Sequence, residues 1–147
     1  MRSAWRFSYL ALLHTGTLWS ALQEKGTISM RLYRFDADAG RPIADFGSAG
    51  LTIAPVALSA GAAQVVAMWL APGGSVGRHP AVGGQLFLVT QGEGWVEGGN
   101  GVRQAIRAGQ AAWWDDGQSH AAGTESGMAA LVIEGDALDL AHLRPLP

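Results

Sequence analysis

The chain has no cysteine, which excludes disulfides, iron–sulfur clusters, thiolate zinc sites and cysteine nucleophiles. It is also poor in charge: Asp, Glu, Lys and Arg make up 15% of its 147 residues, against roughly 25% in an average soluble domain. Ten basic residues against twelve acidic ones leave a net charge of −2, with no Lys/Arg cluster to follow a phosphate backbone, so nucleic acid is not an expected partner. No apolar run reaches the roughly 18 residues that a membrane-spanning helix needs. A cytoplasmic protein is the expectation. The length suits one core rather than two.

Glycine and tryptophan are abundant. Glycine accounts for 21 residues and tryptophan for 6, a composition that suits a compact all-β body with tight turns. Low surface charge favours self-association, and a homodimer through strand edges or sheet faces is expected.

Three regions are predicted. Residues 1–29 form an N-terminal extension with two basic residues, Arg2 and Arg6, ahead of a mixed run from Phe7 to Leu22. The run is read as a weak leader, as a poorly ordered extension with helix around Leu10 to Leu22, or as residues ahead of a start at Met30. Residues 30–136 form the body, and residues 137–147 a tail with a short helical turn that Pro145 stops. Within the body, Arg31–Phe35 alternates as a strand. From residue 50 onward short candidate strands sit between glycine-marked turns: Gly50–Leu58, Ala63–Leu70, Val76–Ala81, Gln85–Thr90, Gly94–Gly98, Val102–Ile106, Gln110–Trp114, Ser119–Thr124 and Met128–Glu134. Nine short strands without an intervening helix predict a sandwich or barrel.

Of the four histidines, His14 lies in the extension and His142 in the tail, where solvated, inert rings are expected. His79 and His120 lie on predicted strands. Two-residue alternation puts His79 and Ala81 on one face and Gln85, Phe87 and Val89 on one face. On Ala63–Leu70 it separates Val66, Met68 and Leu70 from Val65, Ala67 and Trp69. Trp113 and Trp114 are neighbours and cannot both point inward. Arg78, next to His79, is expected on the outer surface. Asp115 and Asp116 suit a turn. Glu125 is read at a pocket mouth, and Glu134, which alternates with Val132 and Ala130, falls on the inner parity. Ser119 and His120 point to opposite faces and form no nucleophile–base pair.

The spacing of these residues resembles the two motifs of the cupin superfamily. Gly73, His79, Ala81, Gln85 and Gly92 keep the spacing of G-x5-H-x-H-x3-E-x6-G, with alanine at the second histidine and glutamine at the glutamate. Gly109, Gly117, His120 and Thr124 keep that of G-x5-P-x-G-x2-H-x3-N, with Asp115 at the proline and Thr124 at the asparagine. The resemblance spans about residues 50–135. It implies a conical β-barrel, or double-stranded β-helix of jelly-roll type, with a pocket between its sheets. It also implies a reduced metal-ligand set of His79, Gln85 and His120, for zinc, nickel, iron or manganese. Met68, Phe87 and Trp114 complete the expected ligand-binding residues.

Three functions follow as expectations. The first is a small-molecule-binding module whose metal site is degenerate. The second is a metal-dependent isomerase, decarboxylase or dioxygenase working with the reduced ligand set. The third is a dimerising β-module that binds another protein.

Overall fold

A computed structural model describes residues 30–147 of the chain. The extension with its leader and helix readings, and His14, lie outside the described residues. The fold is all-β, with two three-residue 3₁₀ turns near its start.

Strand β1 spans Arg31–Arg34, and two minor strands, β2 (Arg41–Ile43) and β3 (Leu51–Ile53), pair with each other. β4 (Leu58–Ser59) leads into β5 (Ala63–Leu70) and β6 (Ser75–Pro80). β7 (Gly84–Glu97) is the longest strand, followed by β8 (Arg103–Arg107), β9 (Gln110–Trp114), β10 (Ser119–Gly123) and β11 (Met128–Gly135). β12 (Leu138–Asp139) and β13 (Arg144–Pro145) complete the chain.

The architecture turns on β7. Its first half lies between β9 and β11, giving a sheet ordered β5–β11–β7–β9–β1–β13. Its second half lies between β8 and β10, giving β6–β10–β7–β8. All pairs are antiparallel, and the two sheets face each other as a double-stranded β-helix. Among the described residues the ladder does not close into a ring, because β5 pairs only with β11 and β6 only with β10. The outer edges of β5 and β6 carry no further strand among the described residues.

The sequence reading separates β7 into two strands at Gln91–Glu93. The structure keeps it continuous, with a register shift opposite Ala129/Ala130 and Gly92 at φ +76°. A side chain there would collide with the carbonyl of Gly127, so glycine lets the strand bend from one sheet into the other without ending. Other boundaries differ less. β5 and β9 match their predicted spans, and the predicted strand Gly50–Leu58 is interrupted between β3 and β4.

Apolar burial falls in two clusters. The inner one lies between the sheets and contains Phe87, Val89, Val96, Ile106, Ala112, Trp114, Met128, Ala130 and Val132, with Met68 and Leu70 packed against it. The outer one covers the far face of the larger sheet, where Tyr33, Leu86, Leu88 and Trp113 meet Leu138, Leu140 and Leu143. The tail is therefore no separate helical turn. β12 pairs with β4 and β13 with β1, while a turn between them buries Leu143. Pro145 is tolerated because β13 is an edge strand. The two tryptophans divide between the clusters, Trp114 inward and Trp113 outward. Gly84 is bare because a Cβ there would strike the Trp113 ring.

Candidate functional site

The four glycines that frame the two motifs, Gly73, Gly92, Gly109 and Gly117, have φ between +76° and +86°, the left-handed region that L side chains avoid. The turns they make bring β6 and β10 together so that His79 and His120 are direct cross-strand partners. A β-bulge sets the aim. Between the pairs His120↔His79 and Ala122↔Val76, β6 spends three steps where β10 spends two. Both Val76 and His79 consequently face the interior, which strict alternation would forbid. The bulge leaves the Gly77 carbonyl under the His79 ring, at 2.7 Å from Nδ1.

His120 is held in the same way. Its Nδ1 lies 3.1 Å from the Gln118 carbonyl. A carbonyl only accepts, so Nδ1 carries a proton in both rings, and in a neutral ring of this tautomer Nε2 is a bare lone pair. Neither Nε2 has a hydrogen-bond partner among the described residues. The ring of His120 is stacked on Trp114 (centroids 4.3 Å apart, 22° between planes) and tilted against His79 (4.3 Å, 57°). Phe87 meets Trp114 edge-on at 6.1 Å. Burial pulls the His120 pKa down to about 4, and the nearby His79 and Arg78 add to that, against the hydrogen bond to Gln118, which favours the charged form. The imidazole is thus neutral at pH 7.

The third polar wall comes from the larger sheet. Gln85, 3% exposed, is the cross-strand partner of Glu134 and donates from Nε2 to the Glu134 carboxylate at 2.9 Å. Its Oε1 is buried without a partner, as is Nε1 of Trp114. Partial burial pushes the Glu134 carboxyl upward, opposed by His79.

Met68, Val76, His79, Gln85, Phe87, Trp114, His120 and Ala122 line one cavity. The structure thus gathers all six residues proposed from sequence, and adds Val76 and Ala122. Its free volume is ≈ 10 Å³, about what a single water requires (roughly 10–15 Å³). An organic molecule does not fit inside without moving side chains. Ala81 is buried beside the site and contributes no ligand atom.

Other candidates lie elsewhere. Glu125, expected at the pocket mouth, instead lines a separate surface cleft of ≈ 480 Å³ with Glu93, Trp95 and Arg107. Arg78 is on the outer surface, bonded to Glu97, Ser119 and the Gly98 carbonyl, and holds the Glu97 carboxyl below its usual range. Asp115 accepts from Trp113 and Arg31, and Asp116 from the Gly83 amide. His142 is exposed. Glu134 is the residue that sequence parity put inside without assigning it to the site. Its sequence signal was alternation with Val132 and Ala130; its pairing with Gln85 comes from the register of β11 on β7.

No protein-family model and no curated protein matches the chain. Solved structures similar to it include cupin and double-stranded β-helix proteins. A predicted oxalate decarboxylase from Thermotoga maritima is 29% identical, with 52% of this chain and 64% of that chain aligned and a TM-score of 0.44; the match spans less than two thirds of that protein. An uncharacterized conserved protein with a double-stranded β-helix domain from Klebsiella pneumoniae is 25% identical over 72% of this chain and 94% of that one, at a TM-score of 0.47. An RmlC-like cupin from Shewanella frigidimarina is 20% identical, with 57% and 67% covered and a TM-score of 0.46. No helix among the described residues is long and apolar enough to cross a membrane.

Proposed function

We propose that the interior site holds one divalent first-row metal ion on Nε2 of His79, Nε2 of His120 and Oε1 of Gln85. The observation that carries this reading is a buried, unpartnered Gln85 Oε1 on a residue that lines a space the size of one water together with His79 and His120, whose Nδ1 atoms are taken up by backbone carbonyls. The donor set fits: imidazole and amide oxygen together suit zinc, nickel, iron or manganese, and both rings have the Nδ1–H pinned by a carbonyl, the arrangement that orients a metal-binding histidine. The set is neutral, and no cluster of three His, Cys, Asp or Glu side chains is present among the described residues, so a modest affinity is expected.

A bound ion would supply polarisation of a substrate oxygen. The chain's own residues do the rest. His120 stays neutral and keeps its lone pair available, Trp114 fixes the plane of that ring, and Met68 and Phe87 keep the walls apolar. An isomerase, decarboxylase or oxygenase reaction on a small chelating substrate is the class this arrangement suits.

Protein purified without chelator or nickel resin is expected to carry near-stoichiometric metal by elemental analysis, or to take up one equivalent of Zn²⁺ or Mn²⁺ by calorimetry. The His79→Ala/His120→Ala double variant should take up none. Unchanged uptake by that variant, or none by the wild type, would overturn the reading. The second reading is metal-free binding. The unpaired Trp114 Nε1 donor beside three acceptors suits a molecule whose hydroxyl both donates and accepts. A wild type free of metal that takes up none would favour it.

We also propose that two copies pair through the free edge of β5. The strand has no charge, proline or glycine, the features that protect an edge. Paired antiparallel with itself about Ala67, it sets Val65 opposite Trp69 on the outer face, where the two are 61% and 77% exposed. Sedimentation at micromolar concentration should show a dimer, and Trp69→Lys should give a monomer. A monomeric wild type would remove this proposal.

A further inference from the structure

We propose that Glu134 is a positioning residue for the interior site: it fixes which end of the Gln85 amide faces the histidines and lends the site the negative charge that Gln85 lacks. This rests on the ion reading above. An amide offers a donor end and an acceptor end of nearly the same shape, so only its partners decide which one points where. Here the partner is a carboxylate directly across the β7–β11 ladder. A carboxylate oxygen accepts, so the 2.9 Å contact takes the amide's Nε2. Turning the amide over would set Oε1 against the carboxylate, oxygen against oxygen. Oε1 is therefore held away from Glu134, and it is buried with no partner of its own. A buried unpaired acceptor is costly. A chain that keeps one pinned in that state, on the wall shared with two imidazoles whose Nε2 atoms are free, holds an acceptor set ready for a cation.

The charge argument is separate. Two imidazoles and an amide bring no negative charge to a divalent ion. Glu134 is hydrogen-bonded to the Nε2 end of the amide, on the face of β11 that it shares with Val132 and Ala130. Its carboxylate polarises the amide so that Oε1 becomes a stronger donor. Outer-shell partners of this kind typically change metal affinity 10–100-fold. The arrangement moves the anion from the first row of contacts to the next, and the sequence shows both halves of the exchange, Gln85 on β7 and Glu134 on β11.

The test uses full-length, metal-free protein titrated with Zn²⁺ and Co²⁺ against a chromophoric chelator, with the visible Co²⁺ spectrum as a second readout. Glu134→Ala is expected to weaken Zn²⁺ binding roughly 10–100-fold and to shift the Co²⁺ bands, with the circular dichroism of the fold unchanged. The Gln85→Glu/Glu134→Ala double variant, which puts a carboxylate directly into the site, is expected to bind as tightly as wild type or tighter. If Glu134→Ala does not fold, the isosteric Glu134→Gln carries the test, with about 10-fold weaker binding expected. Wild-type affinity and spectrum in the single variant would overturn the role of Glu134 alone, and so would a double variant as weak as Glu134→Ala. No uptake by the wild type would overturn the ion reading and this inference with it.

Discussion

Trp114→Ala is expected to destabilise the metal-free protein by about 4 kcal/mol, within the roughly 3–5 kcal/mol found for emptying a buried large aromatic. Trp114 is 0% exposed and is among the largest fully buried side chains. One face stacks on His120 and Phe87 meets the ring edge-on, while Ala112, Val132 and Met68 belong to the same cluster. Small neighbours such as Ala112 and Ala122 cannot swing in to fill the space. Urea unfolding followed by circular dichroism measures the loss, and a value below about 1 kcal/mol would show that the site collapses more easily than this packing allows. The effect reaches function as well. His120 would lose the wall that sets the direction of its Nε2, so metal affinity should fall along with stability.

Acidification is expected to remove about 3 kcal/mol through His120 alone. The sign follows from protons bound. An ordinary imidazole titrates at 6.5, whereas His120 in the fold titrates at about 4. Between those values the unfolded chain binds more protons than the folded one, so stability falls as pH falls. The contribution is complete above about pH 6.5 and gone below about pH 4. Each unit of difference corresponds to about 1.4 kcal/mol. Asp36 and Glu97, both held below their usual ranges by arginines, act in the same direction. Glu134 acts in the opposite direction, because its raised carboxyl favours the fold most when protonated. The contribution of His120 is therefore read as a difference. Between pH 7 and pH 4, with chelator present, wild type should lose about 3 kcal/mol more than His120→Gln. Parallel curves for the two proteins would count against a buried, neutral His120.

Most of the fold was legible because its signals are local. The motif glycines were visible as spacing, and their positive φ explains why their positions are kept: a backbone requirement depends on one residue and cannot be met by a neighbour. Ligand positions carry no such demand, and Ala81 and Gln85 depart from the pattern while the turns around them remain. Parity grouped Met68 with Val66 and Leu70, and Gln85 with Phe87, without saying which group faces inward; the cavity takes Met68, Gln85, Phe87 and Trp114. Parity does not carry through β6: strict alternation would put Val76 and His79 on opposite faces, whereas a bulge shifts the count by one and is a property of the pair rather than of the strand. It likewise split β7 at Gly92, since a glycine that bends a strand looks in sequence like one that ends it. The pairing of Gln85 with Glu134 was out of reach for another reason. Alternation says which face a side chain occupies but not which strand lies beside it, and that register was set by the whole sheet.

The continuity of β7 has a consequence for how the molecule opens. This one strand is bonded to β8, β9, β10 and β11, so neither sheet can come apart without disturbing the hub of the other. Excursions that expose small parts of a protein while the rest stays intact are then confined to its periphery, here the minor β2–β3 ribbon and the β12–β4 pair. Amide protons on the first half of β7 belong to the last group to meet solvent. Gln85 is one residue into that strand, which places the site's amide wall in the part of the molecule that breathes least.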